Sequence, residues 1–254
     1  MNRTARNIII RVSMLLGLAA FIFLMVMAKV NRDERRVKKI RVSVDEWNGN
    51  FFINKTQVLN FVLNKFNVKD KILSGKDLER IERSVNLIPQ VRESNAYTDD
   101  QGNLNVKIIQ RKPILRVYNL QGQSYYVDEN GIKFSVSDFF AAKVPVVTGN
   151  IAEACDSVQM IQSPALKKIL YVVRDVNENK LWKEVIGQYN INEKGQLELI
   201  PRFGNCIVLF GDDKDREQKL KRLDIFYFDV LRKIGWDHYR VINIMYKDQV
   251  VCLK

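Results

Sequence analysis

Three adjacent carboxylate pairs, Asp99-Asp100, Asp128-Glu129 and Asp212-Asp213, are the residues of this 254-residue chain best suited by type and spacing to acid–base chemistry. Two carboxyls flanking a glycosidic bond can divide the general-acid and the nucleophile or base roles, so the enzymatic reading open to the chain is a membrane-anchored cell-wall hydrolase using an aspartate pair. All three pairs fall in turn or helix-start contexts, where aspartate typically serves backbone N–H groups. His238 stands between Asp237 and Tyr239 without a second histidine in the chain, which leaves general-base chemistry without a partner. Cys155, Cys206 and Cys252 are odd in number, so at least one thiol stays free even after export, and small apolar core positions suit them better than a regulatory role. One histidine and three cysteines cannot build a four-cysteine or a two-cysteine, two-histidine zinc site. The sequence holds no GxSxG, HExxH, GxxxxGKS/T or GxGxxG motif. The chain therefore reads as non-catalytic, with no cofactor, no metal and no small-molecule substrate.

Interaction surfaces carry the functional argument instead. The chain closes with an apolar segment from Val241 to Tyr246, a turn at Lys247-Asp248, and a last segment from Gln249 to Leu253. A terminal strand at a sheet edge keeps unpaired N–H and C=O groups and can accept an extended or hairpin-like partner by β-augmentation. Tyr246, Val250 and Val251 would offer contact area, while Lys247 and Lys254 would guard against promiscuous pairing. Tyr246, Lys247, Gln249, Val250 and Val251 are accordingly the expected partner-binding residues.

The elements that must position this edge follow from periodicity. Ile40 to Val44 alternates as a half-buried strand. Asn54-Lys55-Thr56 opens a helix carrying Val58, Leu59, Val62, Leu63 and Phe66, and Ser74-Gly75 opens another carrying Leu78, Ile81, Val85 and Ile88, ended by Pro89. Val91 to Tyr97 and Leu104 to Ile109 read as strands joined by a turn over residues 99–103. Strand-helix-helix-strand-strand makes a three-stranded sheet covered by two helices, a small α+β unit. Pro113 marks a boundary to a mixed β-domain of short strands with flanking helices, one from Ser163-Pro164 and one amphipathic over Asp213 to Trp236. The fold class expected is thus α+β, with residues 113–254 as the second domain.

Charge and hydropathy set the address. Lys and Arg number 41 against 29 Asp and Glu, for a net charge of +12. Residues 1–30 carry Arg3, Arg6, Arg11 and Lys29 with no acid, and residues 31–41 carry six bases against Asp33 and Glu34, so eight of the excess charges flank one segment. The remainder is too weakly basic for a pervasive nucleic-acid surface. That segment, Val12 to Ala28, has no charge, and Ile8 to Ile10 extend it beyond Arg11. A bilayer core needs roughly 20 helical residues, and a typical signal-peptide h-region is shorter, about 7 to 15, so the reading is an uncleaved transmembrane helix over 12–30 after a cytoplasmic tail, 1–11. The downstream flank is the more basic, but long C-terminal domains translocate largely regardless of charge, which gives the N-terminus in the cytoplasm and the bulk outside.

Several stretches in order resemble the FtsQ/DivIB family of bitopic bacterial division proteins. Leu87-Ile88-Pro89-Gln90-Val91 is similar to its helix-end segment, and Val106 to Pro113 to its V-x-V-x-E-R-x-P exit. Tyr126-Val127-Asp128-Glu129-Asn130-Gly131-Ile132-Lys133-Phe134 resembles its y-x-D-x-x-G-x-x-F hairpin, and Val144-Pro145-Val146-Val147-Thr148-Gly149 its L-P-x-x-x-G. Ile242-Asn243-Ile244-Met245-Tyr246 with Gln249-Val250-Val251 resembles its I-D-L-R-Y closing segment. Gln110 replaces the acid before Arg111, and Met245 stands where the family usually has a basic residue. The resemblance implies a POTRA module within 31–112 and a non-catalytic scaffold at the division septum. It implies a single pass through the inner membrane with the bulk in the periplasm, and binding of FtsB and FtsL-type proteins through the last strand and Tyr246. It also implies that the POTRA face contacts other divisome membrane proteins, and that the complex is coupled to septal peptidoglycan synthesis.

Overall fold

The computed structural model describes residues 3–33, 36–47 and 49–254, with the side chains of its N-terminal helix described over 12–27. Residues 1 and 2 of the basic tail and 34 and 35 of the charged linker lie outside the described residues. The chain divides into two units, Met1–Glu46 with Ile53–Ile109, and Trp47–Phe52 with Gln110–Lys254.

The first unit begins with helix α1 (Arg3–Asp33), longer than the segment 12–30 read from hydropathy. Its described side chains, Val12 to Met27, are all exposed. Among the described residues, no helix is long and apolar enough to cross a membrane. Strand β1 (Lys39–Val44) is followed by α2 (Lys55–Phe66), α3 (Gly75–Val85), β2 (Val91–Thr98) and β3 (Asn103–Gln110). The sheet order is β1-β3-β2, with β1 parallel to β3 and Val42 opposite Val106. Asn54 caps α2 by accepting from the Thr56 N–H, and Ser74 and Asp77 form a reciprocal capping box on α3. Val58, Val62, Ile81 and Val85 on the helices are buried together with Leu104, Val106 and Ile108 of β3. The second helix ends at Val85 rather than at Ile88. Pro89 disfavours the α conformation for Ile88, and Leu87 is left 76% exposed.

The second unit is one ten-stranded mixed sheet with helices. Its strands are β4 (Pro113–Tyr118), β5 (Ser124–Asp128), β6 (Ile132–Ser135), β7 (Val146–Gly149), β8 (Gln159–Met160), β9 (Ile186–Ile191), β10 (Leu197–Pro201), β11 (Ile207–Gly211), β12 (Val241–Asn243) and β13 (Val251–Leu253). The order is β13-β12-β11-β10-β9-β7-β4-β5-β6-β8. The helices are α4 (Pro164–Glu178), α5 (Lys180–Val185), α6 (Arg216–Ile225) and α7 (Arg232–Ile234), with a π-helical stretch, Phe226–Leu231, between the last two. Ser163 accepts from the Leu166 N–H and Pro164 occupies the first turn of α4, as its sequence pattern predicts.

The helix expected over Asp213 to Trp236 is therefore three consecutive helical segments. Its buried residues Leu223, Tyr227 and Leu231 are spaced by four. A straight α-helix drifts off that spacing, whereas wider π turns keep it aligned. The widened stretch seats Tyr227 between Trp182, at 5.1 Å between ring centroids, and Trp236, at 4.6 Å. These residues form one core with Ile169, Val173, Val117, Tyr189, Leu199, Val208 and Ile242. Strands β7 and β8 and helix α5 have no counterpart in the sequence reading beyond the Val144 to Gly149 motif. Gly149, at φ +96°, explains that motif: a Cβ there would collide with the Ile191 carbonyl oxygen.

A smaller aromatic cluster holds Phe52 edge-on to Tyr126 and Phe140. Gln110, 1% exposed, fixes this segment in both senses. Its Oε1 accepts from the Phe52 N–H at 2.8 Å, and its Nε2 donates to the Asn50 carbonyl at 2.9 Å. A carboxylate could make only the first bond, which gives the Gln110 departure from the family pattern a physical reason.

Candidate functional site

Strand β13 ends the strand order, with β12 as its neighbour. The two pair antiparallel, Val241 opposite Leu253, Ile242 opposite Cys252 and Asn243 opposite Val251. Both are shorter than the sequence reading. Val241 to Tyr246 becomes Val241–Asn243 because the Asn243 side chain accepts from the Met245 N–H at 2.9 Å and closes the strand. Tyr246, Lys247 and Gln249 lie in the connection to β13 and are exposed, with Asp248 at φ +59° making the turn. Val250 packs against the main core, while Val251 lies on β13, 41% exposed. Of the five residues read from the sequence, the fold thus sets Tyr246, Lys247 and Gln249 on an exposed turn, Val251 on the edge strand, and Val250 inward.

The pairing brings in residues that linear reasoning missed. Alternation puts Val208, Ile242 and Cys252 on the core face, so the opposite face carries the row Ile207, Val241, Leu253 and the row Leu209, Asn243, Val251. Ile207 is 38% and Leu253 60% exposed. Arg222 of α6 also contributes: its guanidinium Nη2 donates to the Ile244 carbonyl at 3.1 Å, beside the turn that carries Tyr246. Its Nε is buried with no hydrogen-bond partner among the described residues. Met245 covers Gly211, whose added Cβ would sit 2.8 Å from the Met245 Cγ and Sδ. At this position the side chain packs on the sheet instead of presenting a charge. The register of β11, β12 and β13 and the packing of α6 reveal these neighbours.

The carboxylate pairs are occupied in holding turns. Asp99 accepts from the Asn103 side chain and backbone, from the Gln101 N–H and from the Asn105 amide, and these bonds, led by the Asn103 side chain, hold its carboxyl below the usual carboxylate range. Asp128 accepts from the N–H groups of Asn130 and Ile132 and pairs with Arg111 at 3.0 Å, which explains the D-x-x-G hairpin. Asp212 takes the Lys219 ammonium at 2.6 Å, and that bond lowers its pKa. The resolved carboxylate shifts, those of Asp77 and Glu153 included, are all downward, opposite to what a general acid needs. A cavity of about 930 Å³ is lined by Asp175, Asp213 and Asp224. There Arg216 pairs with Asp175 at 2.6 Å and the Trp182 indole donates to Asp224 at 3.1 Å. His238 is exposed, edge-on to Tyr239. Cys206 is buried, Cys155 and Cys252 are half-buried, all three are free thiols, and burial pushes each of them up in pKa.

The fold and this end of it define an α+β protein whose larger unit is a mixed sheet ending in an open C-terminal strand. Residues 112–253 match the family described as FtsQ/DivIB, C-terminal related, and the chain belongs to that family. No curated protein matches the chain. The family is one of cell-division scaffolds of the division-site envelope, generally non-catalytic and acting through protein interactions within the divisome.

Proposed function

We propose that the protein is a bitopic scaffold that captures FtsB and FtsL-type division proteins at its C-terminal edge and helps couple divisome assembly to septal peptidoglycan synthesis. The observation that carries this is the open strand β13, flanked by the exposed Tyr246 turn and by Val251 and Leu253. An incoming strand would extend the sheet through main-chain hydrogen bonds, and the outward side chains of alternate residues would select it. The uncharged run Val12 to Ala28, in a helix whose described side chains all face outward, supports a single-pass inner-membrane anchor with the bulk in the periplasm. Two helices on a sheet of order β1-β3-β2 support a POTRA module within residues 31–112, a face for other divisome membrane proteins.

The test is co-purification of the detergent-solubilised full chain with an FtsB and FtsL-type pair. Capture by the intact chain, its loss on removing residues 246–254, and a marked reduction in Tyr246→Ala are expected. Unchanged capture by both variants, or release of muropeptides from peptidoglycan by the purified chain, overturns the reading.

A further inference from the structure

A groove of about 290 Å³ lies in the first unit between the start of β1 and the flank of α2. Its walls are the apolar side chains of Ile40, Leu59 and Leu63, all partly exposed, and its rim carries Lys38, Lys39 and Lys69, all exposed. None of these three ammonium groups forms an ion pair among the described residues. Arg36 and Lys71 stand exposed in the same neighbourhood, and Asp70 is the acid among them. The Arg36 guanidinium is spent on the Asp70 carbonyl oxygen. Three unpaired cations around an apolar cleft call for a ligand with an anionic head and an apolar continuation.

The position of the groove narrows the source. It opens at residue 37, four residues past the end of α1 at Asp33, so a fully extended chain leaves it no more than about 14 Å from that helix end. The described part of α1 exposes Leu15, Leu16, Leu18, Phe21, Phe23 and Leu24, which need an apolar medium around them. The basic flank that reads as misplaced under a positive-inside count supplies Lys38 and Lys39 of this groove. Polybasic segments next to a membrane helix are drawn to anionic headgroups.

We propose that this groove binds the headgroup of an anionic phospholipid, with Lys38, Lys39 and Lys69 on the phosphate and Ile40, Leu59 and Leu63 against the glycerol and first acyl carbons. The contact seats the first unit on the membrane surface. It rests on the membrane anchoring proposed above.

The experiment reconstitutes the full chain into phosphatidylcholine vesicles with and without phosphatidylglycerol and follows backbone hydrogen exchange over residues 37–40 and 59–63. Exchange there slows at least about tenfold when phosphatidylglycerol is present, a lower bound for three lysines at an anionic surface. The triple variant Lys38→Gln, Lys39→Gln, Lys69→Gln abolishes the slowing. Lys65→Gln, Lys76→Gln, Lys107→Gln, with the same charge change away from the rim, retains it. Equal exchange in the two vesicle types, or equal loss in both triple variants, overturns the proposal. So does the same slowing in neutral vesicles with free glycerol phosphate, which would make the groove a site for a soluble phosphate ester. Flotation separates the anchor from the groove. Flotation with both vesicle types keeps the anchor whatever the exchange shows. Flotation with phosphatidylglycerol vesicles alone refutes the anchor, and the groove then stands if the rim triple variant no longer floats and falls if it does; flotation with neither refutes both.

Discussion

The Arg222 guanidinium donates to the Ile244 carbonyl oxygen at 3.1 Å, so helix α6 holds the chain where β12 gives way to the turn bearing Tyr246. Breaking it with Arg222→Met, which keeps the apolar stem, is expected to cost about 1.5 to 3 kcal/mol, the scale of one charge-assisted hydrogen bond. Hydrogen exchange should quicken at residues 241–253 and stay unchanged at β4 and β5. A uniform change across the second unit would place the effect elsewhere.

At the edge itself, Tyr246→Ala and Val251→Asp remove exposed contact area and put a charge on the open strand. Both should leave the free energy of unfolding within about 0.5 kcal/mol of wild type, as surface substitutions do, while weakening partner capture at least about tenfold. Titration calorimetry beside chemical denaturation checks the two readings together.

Gln110→Glu tests the amide that uses both its donor and its acceptor, toward Asn50 and Phe52. The carboxylate cannot donate to the Asn50 carbonyl and is buried, so destabilisation of about 2 to 4 kcal/mol is expected, less at acidic pH where the protonated acid can donate again. Urea denaturation at pH 7 and pH 4.5 reads out both effects.

Gly149→Ala requires a side chain at φ +96° against the Ile191 carbonyl. The conformational penalty alone is about 1 to 2 kcal/mol and the collision adds to it, so a loss of roughly 3 kcal/mol is expected. Gly122→Ala, also at positive φ but with open space around the added Cβ, should cost visibly less.

Glu153 and Lys133 form a buried pair, 2.9 Å apart, with side chains 9% and 4% exposed. Burial pushes the Glu153 carboxyl up, but the Lys133 hydrogen bond and the N–H groups of Ser163 and Gln162 outweigh it, and its pKa falls below the ordinary 4.5. A carboxyl depressed on folding stabilises fully above its unfolded pKa, and that contribution is lost as pH falls through the folded value. Stability should therefore be flat above about pH 5.5 and decline below 4.5. Lys133→Met, which strands the carboxylate, should cost about 3 kcal/mol at pH 7 and much less at pH 3, seen by circular dichroism melts across that range.

Much of the architecture was legible in local chemistry. The capping residues Asn54, Ser74 and Ser163 start α2, α3 and α4 where their types predict, because a cap is satisfied within three residues of itself. Alternating apolar residues marked β1 for the same reason of locality. What failed depended on partners distant in sequence. The π-helical stretch answers to Trp182 and Trp236, and β8 exists because Ile132 and Lys133 of β6 pair with it. The ends of β12 and β13 are trimmed by the Asn243 turn and by the packing of Val250.

The sequence by itself determined the α+β class, the apolar N-terminal run and the membership suggested by its ordered motifs. Those follow from composition, spacing and turn chemistry, which act between near neighbours. Tertiary structure alone decided which residues share the C-terminal face. Ile207, Leu253 and Arg222 reach it from three elements, through strand register and helix packing that no linear spacing encodes. It also decided that Met245 lies over Gly211, a close approach that depends on β11 running beside β12.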